Sequence, residues 1–273
     1  MLIFRNLCRH GRRLLLVASC LLCVLPPLSA QTARGLIADA CYNELQQRKH
    51  DSFWTSQVQR HTDGHVYLEK EIETVGGPVH RLLSVDGHAP PPAERRQDDD
   101  RLNKLIDSPK AREAMKRSRE ADEKKVDDLL RVIPEVFLFE DQGKQGSMEK
   151  LGFRPNPAYK PKSYEEMVLH ALSGIILIER QEKRLAQISA TVTQPVEFGH
   201  GLIGSLKEGG TVEMKRTRLS PGIWKTSSTR FDINGRMLLF KTISKKQDET
   251  QSDFQPVAPD TSIERALKQM TAN

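Results

Sequence analysis

The chain has 273 residues, with 42 basic and 36 acidic side chains and a formal net charge of +6 at pH 7. Four arginines, Arg5, Arg9, Arg12 and Arg13, lie close together at the N-terminus without an acidic neighbour. Leaving them out of the count gives 38 basic against 36 acidic residues, a net charge near +2. A balance this small excludes the strongly basic surface of a nucleic-acid-binding protein.

The N-terminus predicts a secretory signal peptide over residues 1–30. The four arginines precede an apolar run over residues 14–25, and small residues lead to Ala30, which is the three-part order of such a signal. The run is shorter than the roughly 20 apolar residues that span a bilayer. We therefore expect cleavage after Ala30 and an exported, periplasmic protein. A lipidation motif at residues 17–20 gives the alternative, a protein that is lipid-anchored at Cys20.

Cleavage would leave Cys41 as the one cysteine outside residues 1–30. It lies in a segment, residues 33–49, whose apolar residues recur at helical spacing, and it shares their face with Ile37 and Leu45. We expect a buried thiol without a catalytic role. Three strands are predicted to follow this helix, over residues 52–61, 65–75 and 78–85, with hairpin turns at Asp63-Gly64 and Gly76-Gly77.

The second of these strands alternates in polarity. Leu68 and Ile72 share one parity, whereas Glu69, Glu71 and Glu73 share the other. This alternation is typical of an antiparallel sheet with one buried and one solvated face. We therefore expect the three acidic side chains to face water.

The region over residues 94–131 is mostly charged, with both signs interleaved and a short apolar stripe near each end. This composition predicts two helices with a solvated middle, forming a charged helical insertion over residues 90–132. A coiled coil or a nucleic-acid-binding arm is the alternative. The mixed signs favour the insertion.

Period-two patterns return after residue 133 and predict further strands. A short helix over residues 163–172 is expected to begin at Ser163 as its N-cap, and turns are expected at Ser220-Pro221-Gly222 and Asn234-Gly235. The strands predicted in this half lie near 135–140 and 148–157, twice between 174 and 192, and three times between 211 and 245. Residues 251–273 are expected to form a polar C-terminal tail with a small helix.

Gly199, Gly201 and Gly204 match G-x-G-x-x-G, the spacing of a dinucleotide-binding loop. Such a loop follows a strand, opens a long helix and precedes an acidic residue about 20 positions later. Here Pro195 interrupts the approach, Gly209-Gly210 would stop a helix, and the stretch about 20 residues onward contains no Asp or Glu. We therefore expect a glycine-rich loop between strands and no cofactor.

No group of residues in the sequence predicts a metal centre or a catalytic site. His61, Asp63 and His65 meet at a hairpin tip, but a structural zinc ion takes four ligands and no fourth is adjacent. His200 has no carboxylate nearby to orient it, and residues 98–100, three aspartates, lack the spacing of an EF-hand loop. The sequence motifs of common hydrolases and nucleotide-binding enzymes are absent. We expect a protein that is not an enzyme.

Three stretches carry a resemblance to a known family: "YLEKEIETVGGPVHRLLSVDGH", "FRPNPAYKPKS" and "FGHGLIGSLKEGGTVEMKRTRLSPGIWKTSSTRFDINGR". They resemble a largely uncharacterised family of exported bacterial proteins, related to the LolA/LolB-like lipoprotein-carrier superfamily, over most of residues 50–250. The resemblance implies an incomplete antiparallel β-barrel whose open side is covered by helices. It also implies an apolar cavity that holds acyl chains of lipoproteins or related amphiphiles.

These observations predict a mainly β (α+β) domain over residues 31–250, a LolA-like incomplete antiparallel β-barrel of about ten strands covered by helices. The expected function is binding of a lipid, a lipoprotein acyl chain or another amphiphile, with lipoprotein sorting and peripheral membrane contact as its extensions. The alternative is an envelope sensor or protein-interaction module that binds an envelope protein through residues 94–131. The apolar residues that could line a lipid cavity, or fill an ordinary core, are Leu68, Ile72, Ile176, Ile178, Ile188, Val192, Leu238 and Phe240.

Overall fold

The computed structural model describes residues 28–49, 52–62, 64–198, 204–237 and 241–271. Its helices are α1 (Leu28–Lys49), α2 (Pro92–Asp107), α3 (Pro109–Val136), α4 (Tyr164–His170) and α5 (Ile263–Thr271). Its strands are β1 (Trp54–Thr62), β2 (His65–Ile72), β3 (Val79–Val85), β4 (Phe137–Gln145), β5 (Met148–Pro155), β6 (Leu172–Glu179), β7 (Arg184–Val192), β8 (Val196–Phe198), β9 (Gly204–Leu206), β10 (Thr211–Ser220), β11 (Ile223–Met237) and β12 (Lys241–Pro256).

Ten of these strands form one antiparallel path in the order β3-β2-β1-β12-β11-β10-β7-β6-β5-β4. β8 and β9 form a small hairpin, which joins the path because β9 pairs with β11. The prediction of a mainly β, antiparallel fold with helices is confirmed. Within the described ranges the edge strands β3 and β4 do not pair with each other, so the sheet does not close into a barrel.

The charged segment between the two edge strands forms α2 and α3. Ser108 caps α3, since its hydroxyl oxygen accepts a hydrogen bond from the amide of Ala111 at 3.2 Å. The 28 residues of α3 give it a length of about 42 Å. Near its beginning Met115 lies beside Gly77 of the β2–β3 turn, and at its end Val136 is fully buried next to β4. The two helices therefore connect the open edges of the sheet.

Two main apolar clusters stabilise the molecule. The first lies between α1 and the strands β4 to β7, and its α1 members include Ile37 and Ala40, which are fully buried. Cys41 belongs to it, as predicted, and burial raises the pKa of its thiol to about 12. The second cluster joins α2 and α5 to β2 and β3 through side chains such as Leu102 and Leu267. Each cluster thus depends on its own helices.

The strand register places these two clusters on opposite faces of the sheet. Successive residues of a strand point to opposite faces, whereas directly paired residues point to the same face. A row of direct pairs leads from Ile188, which packs near α1, through Met214, Thr229, Glu249 and Arg60 to Tyr67. Leu68 and Ile72 have the other parity in β2, and Ile72 packs against α2 and α5. We call these two surfaces the α1 face and the α5 face.

The turn predicted at Asn234-Gly235 is wrong. β11 continues through this dipeptide to Met237, with Asn234 opposite Ser244 of β12. On its other side β9 pairs with the same segment, so that Gly235 lies opposite Leu206. Pairing on both sides extends the long β11–β12 hairpin past the local turn signal.

The structure places helices at both ends of the described chain, close to the predicted boundaries of the signal peptide and of the C-terminal tail. α1 begins at Leu28, inside the predicted signal peptide, while residues 1–27 lie outside the described residues, and Cys20 with them. At the other end β12 runs to Pro256 and α5 packs into the second cluster, so much of the predicted tail is folded onto the domain. No described helix combines the length and the apolarity that are needed to cross a membrane.

Candidate functional site

A buried ionic network holds the C-terminal half of α1 on the sheet. The Glu44 carboxylate, 5% exposed, accepts hydrogen bonds from Arg184 at 2.9 Å and from the Leu185 amide at 3.1 Å. Its other ion pair is with Arg216 of β10 at 2.5 Å. Burial lowers the pKa of the Arg184 guanidinium, and the Glu44 charge opposes that shift. The network ties α1 to β7 and β10 at the border of the first apolar cluster.

Beyond α1 the same face of the sheet becomes amphipathic. Ile188 and Met214 begin the row of paired residues, and both are half-buried. Val212 and Phe231, which are paired to each other, lie beside them with the same parity and are also half-buried. None of the described helices packs extensively on β10, β11 or β12. An apolar strip therefore lies next to α1, and no helix of the described residues lies above it.

The row ends in a cluster of charged side chains on β1, β2, β3 and β12. Arg60 donates hydrogen bonds to Glu69 at 3.0 Å and to Glu249 at 3.2 Å. The Nδ1 atom of His80 lies 3.5 Å from the carboxylate of Glu71 and 3.6 Å from that of Glu69. Along the α1 face, the side chains thus change from apolar on β7 and β10 to charged or titratable on β12, β1, β2 and β3.

Two side chains of this cluster titrate far from their ordinary ranges. Burial, followed by the neighbouring Glu73 charge, raises the pKa of Glu71 to about 7. Burial, followed by the Arg101 and Arg60 charges, lowers the pKa of His80 to about 4. Near neutral pH the imidazole is therefore uncharged, and its contact with Glu71 is not an ion pair.

Two adjoining cavities open beside this cluster. One, of about 340 Å³, lies between the end of α1, the middle of α3 and the sheet, and Glu71 and Phe53 line it. The other, of about 500 Å³, has the apolar side chains of Met115 and Val126 in its wall. Both cavities are also lined by Arg119, whose guanidinium lies 5.7 Å over the Phe53 ring. We call the two cavities together the α1–α3 cleft.

The candidate lipid-cavity residues do not converge on one place. Ile176 and Ile178 are buried beneath α1, and Ile188 lies at the border of that cluster on the apolar strip. Val192 packs in a separate cluster under α4. Leu68 and Ile72 point to the α5 face, and Leu238 and Phe240 lie outside the described residues.

The expectation that the acidic parity of β2 faces water is wrong. Only 16% of the Glu69 side chain and 11% of the Glu71 side chain are exposed. Both faces of the β2–β3 hairpin are covered, because α2 and α5 lie on the apolar side while α3 and the end of α1 lie near the acidic side. Alternation alone shows that the two faces differ, and it does not show which of them is wet.

The histidine and aspartate groups considered in the sequence have ordinary structural partners. His65 Nδ1 lies 2.7 Å from Asp86, while His61 contacts Gln59 at 2.8 Å. Asp98 is buried and pairs with Arg81 at 3.1 Å. Over the described part of the chain, no group of three or more His, Cys, Asp or Glu residues could hold a metal ion. Asp63, His200 and the glycines at 199 and 201 lie outside that part.

Comparison of the chain with protein-family models, with curated proteins and with solved structures finds no match. The site is therefore defined by its geometry alone. It consists of an apolar strip that none of the described helices covers, an adjoining charged cluster and the α1–α3 cleft.

Proposed function

We propose that the protein is a non-enzymatic binding protein for an amphiphile, such as a lipid or a lipoprotein acyl chain. The alkyl chain would lie against the apolar strip of Val212, Met214 and Phe231. The polar group would lie toward the charged cluster and the α1–α3 cleft. The change from apolar to charged side chains along one sheet face is the observation that carries this proposal.

The arrangement of helices supports the same function. A contiguous apolar patch on a protein surface is a typical binding site for an apolar ligand. α1 fills the face over β4 to β7, as the buried Ile178 and Phe153 show, and leaves the neighbouring strands open. A LolA-like carrier that acts in the periplasm, either after cleavage behind residue 30 or while anchored at Cys20, would use such a surface to contact a membrane peripherally and to sort lipoproteins.

A matched pair of variants tests this proposal. Met214→Glu places a charge on the apolar strip, and Leu138→Glu places the same charge on an apolar side chain of β4 that is 38% exposed. We expect Met214→Glu to weaken binding of an uncharged fluorescent amphiphile probe at least tenfold, because a carboxylate beside the alkyl chain would lose its hydration. Leu138→Glu should bind like the wild type. Titration of the probe by fluorescence measures both affinities.

Equal probe affinity in the two variants and the wild type would contradict a ligand on the strip. Thermal melting of each variant serves as the control for folding. Lipid extracted from the purified wild-type protein and identified by mass spectrometry would give the native ligand.

The second candidate function, a sensor or protein-interaction module, is favoured by one observation on α2. Ile106 is 44% exposed on the outer surface of this mostly charged helix. Deleting residues 94–131 would not test this function, since Leu102 and Leu130 are buried parts of the two clusters. Ile106→Lys, which lies outside the lining of the α1–α3 cleft, is the suitable variant. Loss of an envelope partner with unchanged probe binding would support the module.

A further inference from the structure

Most basic residues that line the α1–α3 cleft already form ion pairs with acidic residues of the protein. Arg48 pairs with Asp127 at 2.8 Å, and the ammonium group of Lys225 donates to both carboxylate oxygens of Glu73 at 2.7 and 2.8 Å. Arg119 pairs with Glu123 at 2.5 Å. Lys49, the remaining basic residue of the lining, is exposed at the end of α1. An anionic ligand would therefore find no unpaired cation in the interior of the cleft among the described residues.

Among the acidic residues that line the cleft, Glu71 differs in its lack of an ion-pair partner within the described residues. It lines the cleft, yet the residue is only 8% exposed, and no described lysine or arginine forms an ion pair with it. Gln251 donates a hydrogen bond to its Oε1 atom at 3.4 Å, and its Oε2 atom accepts no hydrogen bond from the described residues. A buried carboxylate without a counter-ion is costly.

The groups that surround Glu71 increase this imbalance. Glu69 and Glu249 share the one guanidinium of Arg60, and Glu73 occupies Lys225. Four carboxyl groups on β2, its end and β12 thus face two cations, and the uncharged His80 adds none. The chemical group that complements such a site carries a positive charge.

An organic cation fits the site better than a metal ion does. Hard divalent cations need several oxygen ligands within about 2.6 Å, and the described residues form no metal-holding group. Close by, the wall made by Phe53, Met115 and Val126 offers apolar contact for carbon atoms.

We infer that the α1–α3 cleft selects amphiphiles that carry an ammonium group, which pairs with the carboxylate of Glu71. This inference rests on the proposed function, because it names the polar group of the amphiphile that the strip would hold. Glu71 acts as the specificity-determining residue, and Arg48, Arg119 and Lys225 remain in their own ion pairs.

Titration calorimetry of the full-length protein with three ligands of equal chain length tests the inference. We expect decylamine to bind at least tenfold more tightly than decanol, and decanoate to bind more weakly than decanol. Glu71→Gln should reduce the affinity for decylamine at least tenfold and leave decanol within twofold of the wild type. Glu140→Gln, on the exposed part of β4, is the matched control and should change neither.

A pH series on the wild type keeps the test decisive if Glu71→Gln fails to fold. Decylamine stays charged below pH 9, whereas Glu71 ionises around pH 7. The affinity of the protein for decylamine should therefore fall by about tenfold from pH 8 to pH 6. Its affinity for decanol should show no such change.

Equal affinity for decylamine and decanol, or tighter binding of decanoate, would overturn the ammonium inference and leave the amphiphile proposal standing. Absence of binding by all three ligands would overturn both. Retention of decylamine binding by a folded Glu71→Gln variant would overturn the role of Glu71.

Discussion

The two ends of the α1 face show two ways of covering one sheet surface. Over β4 to β7 the strands present apolar side chains such as Ile178 and Phe153, and α1 packs on them directly. Over β1 to β3 the same face presents Arg60, Glu69 and Glu71, and the space between the sheet and α3 stays partly open. On this face, apolar packing is concentrated at the first end. The second end carries groups whose hydrogen bonds and charges are only partly satisfied, as expected of a binding site.

The largest expected difference is between a buried and an exposed isoleucine. Ile178→Ala should lower the free energy of unfolding by about 2–5 kcal/mol, because the side chain is fully buried beneath α1 and its removal leaves a cavity. Ile106→Ala removes the same group from a side chain of α2 that is 44% exposed, and it should cost less than about 0.5 kcal/mol. Urea unfolding of the two variants measures the difference. Similar losses in both would mean that α1 does not form a packed core with the sheet.

The charged end should respond to pH in two opposing ways. Glu71 binds its proton more tightly when folded, since its pKa rises from 4.5 to about 7, so its contribution falls as pH increases across that range. His80 binds its proton less tightly when folded, since its pKa falls from 6.5 to about 4, so its contribution rises with pH between those values. In the wild type the two effects should largely cancel.

Single substitutions should separate the two effects. In Glu71→Gln the free energy of unfolding should increase by about 2–3 kcal/mol from pH 4 to pH 6.5, since of these two groups only His80 then remains to titrate. In His80→Gln it should decrease by a similar amount from pH 4.5 to pH 7. Urea unfolding across this range gives both slopes. Flat profiles in both variants would show that neither group is buried as the structure has it.

Local signals predicted the elements and much less of their assembly. Ser163 caps α4 by accepting a hydrogen bond from the Glu166 amide, and the Gly76-Gly77 turn joins β2 to β3, as their local patterns indicate. The burial of Cys41 was also predictable, because helix periodicity defines one apolar face.

Local sequence patterns could not predict the candidate site, because it is formed by segments that are distant along the chain. Glu71 lies beneath α1 and α3, which are more than twenty residues away along the chain in each direction. The Asn234-Gly235 turn fails for a similar reason, since β9 pairs with that segment from elsewhere. Tertiary pairing overrides a local pattern in both cases.

Photo-crosslinking tests the central claim, an amphiphile site on the open part of the α1 face, most directly. Because the strip lies four strands from β2, the probe must have a long chain. Octadecylamine with a diazirine near the end of its alkyl chain would be bound and irradiated, and the labelled residues would be located by peptide mass spectrometry. We predict labelling of Val212, Met214 and Phe231 on β10 and β11, which excess unlabelled decylamine suppresses. Labelling restricted to Leu83 and Leu138, exposed side chains outside this strip, or labelling that decylamine does not suppress, would contradict the proposed site.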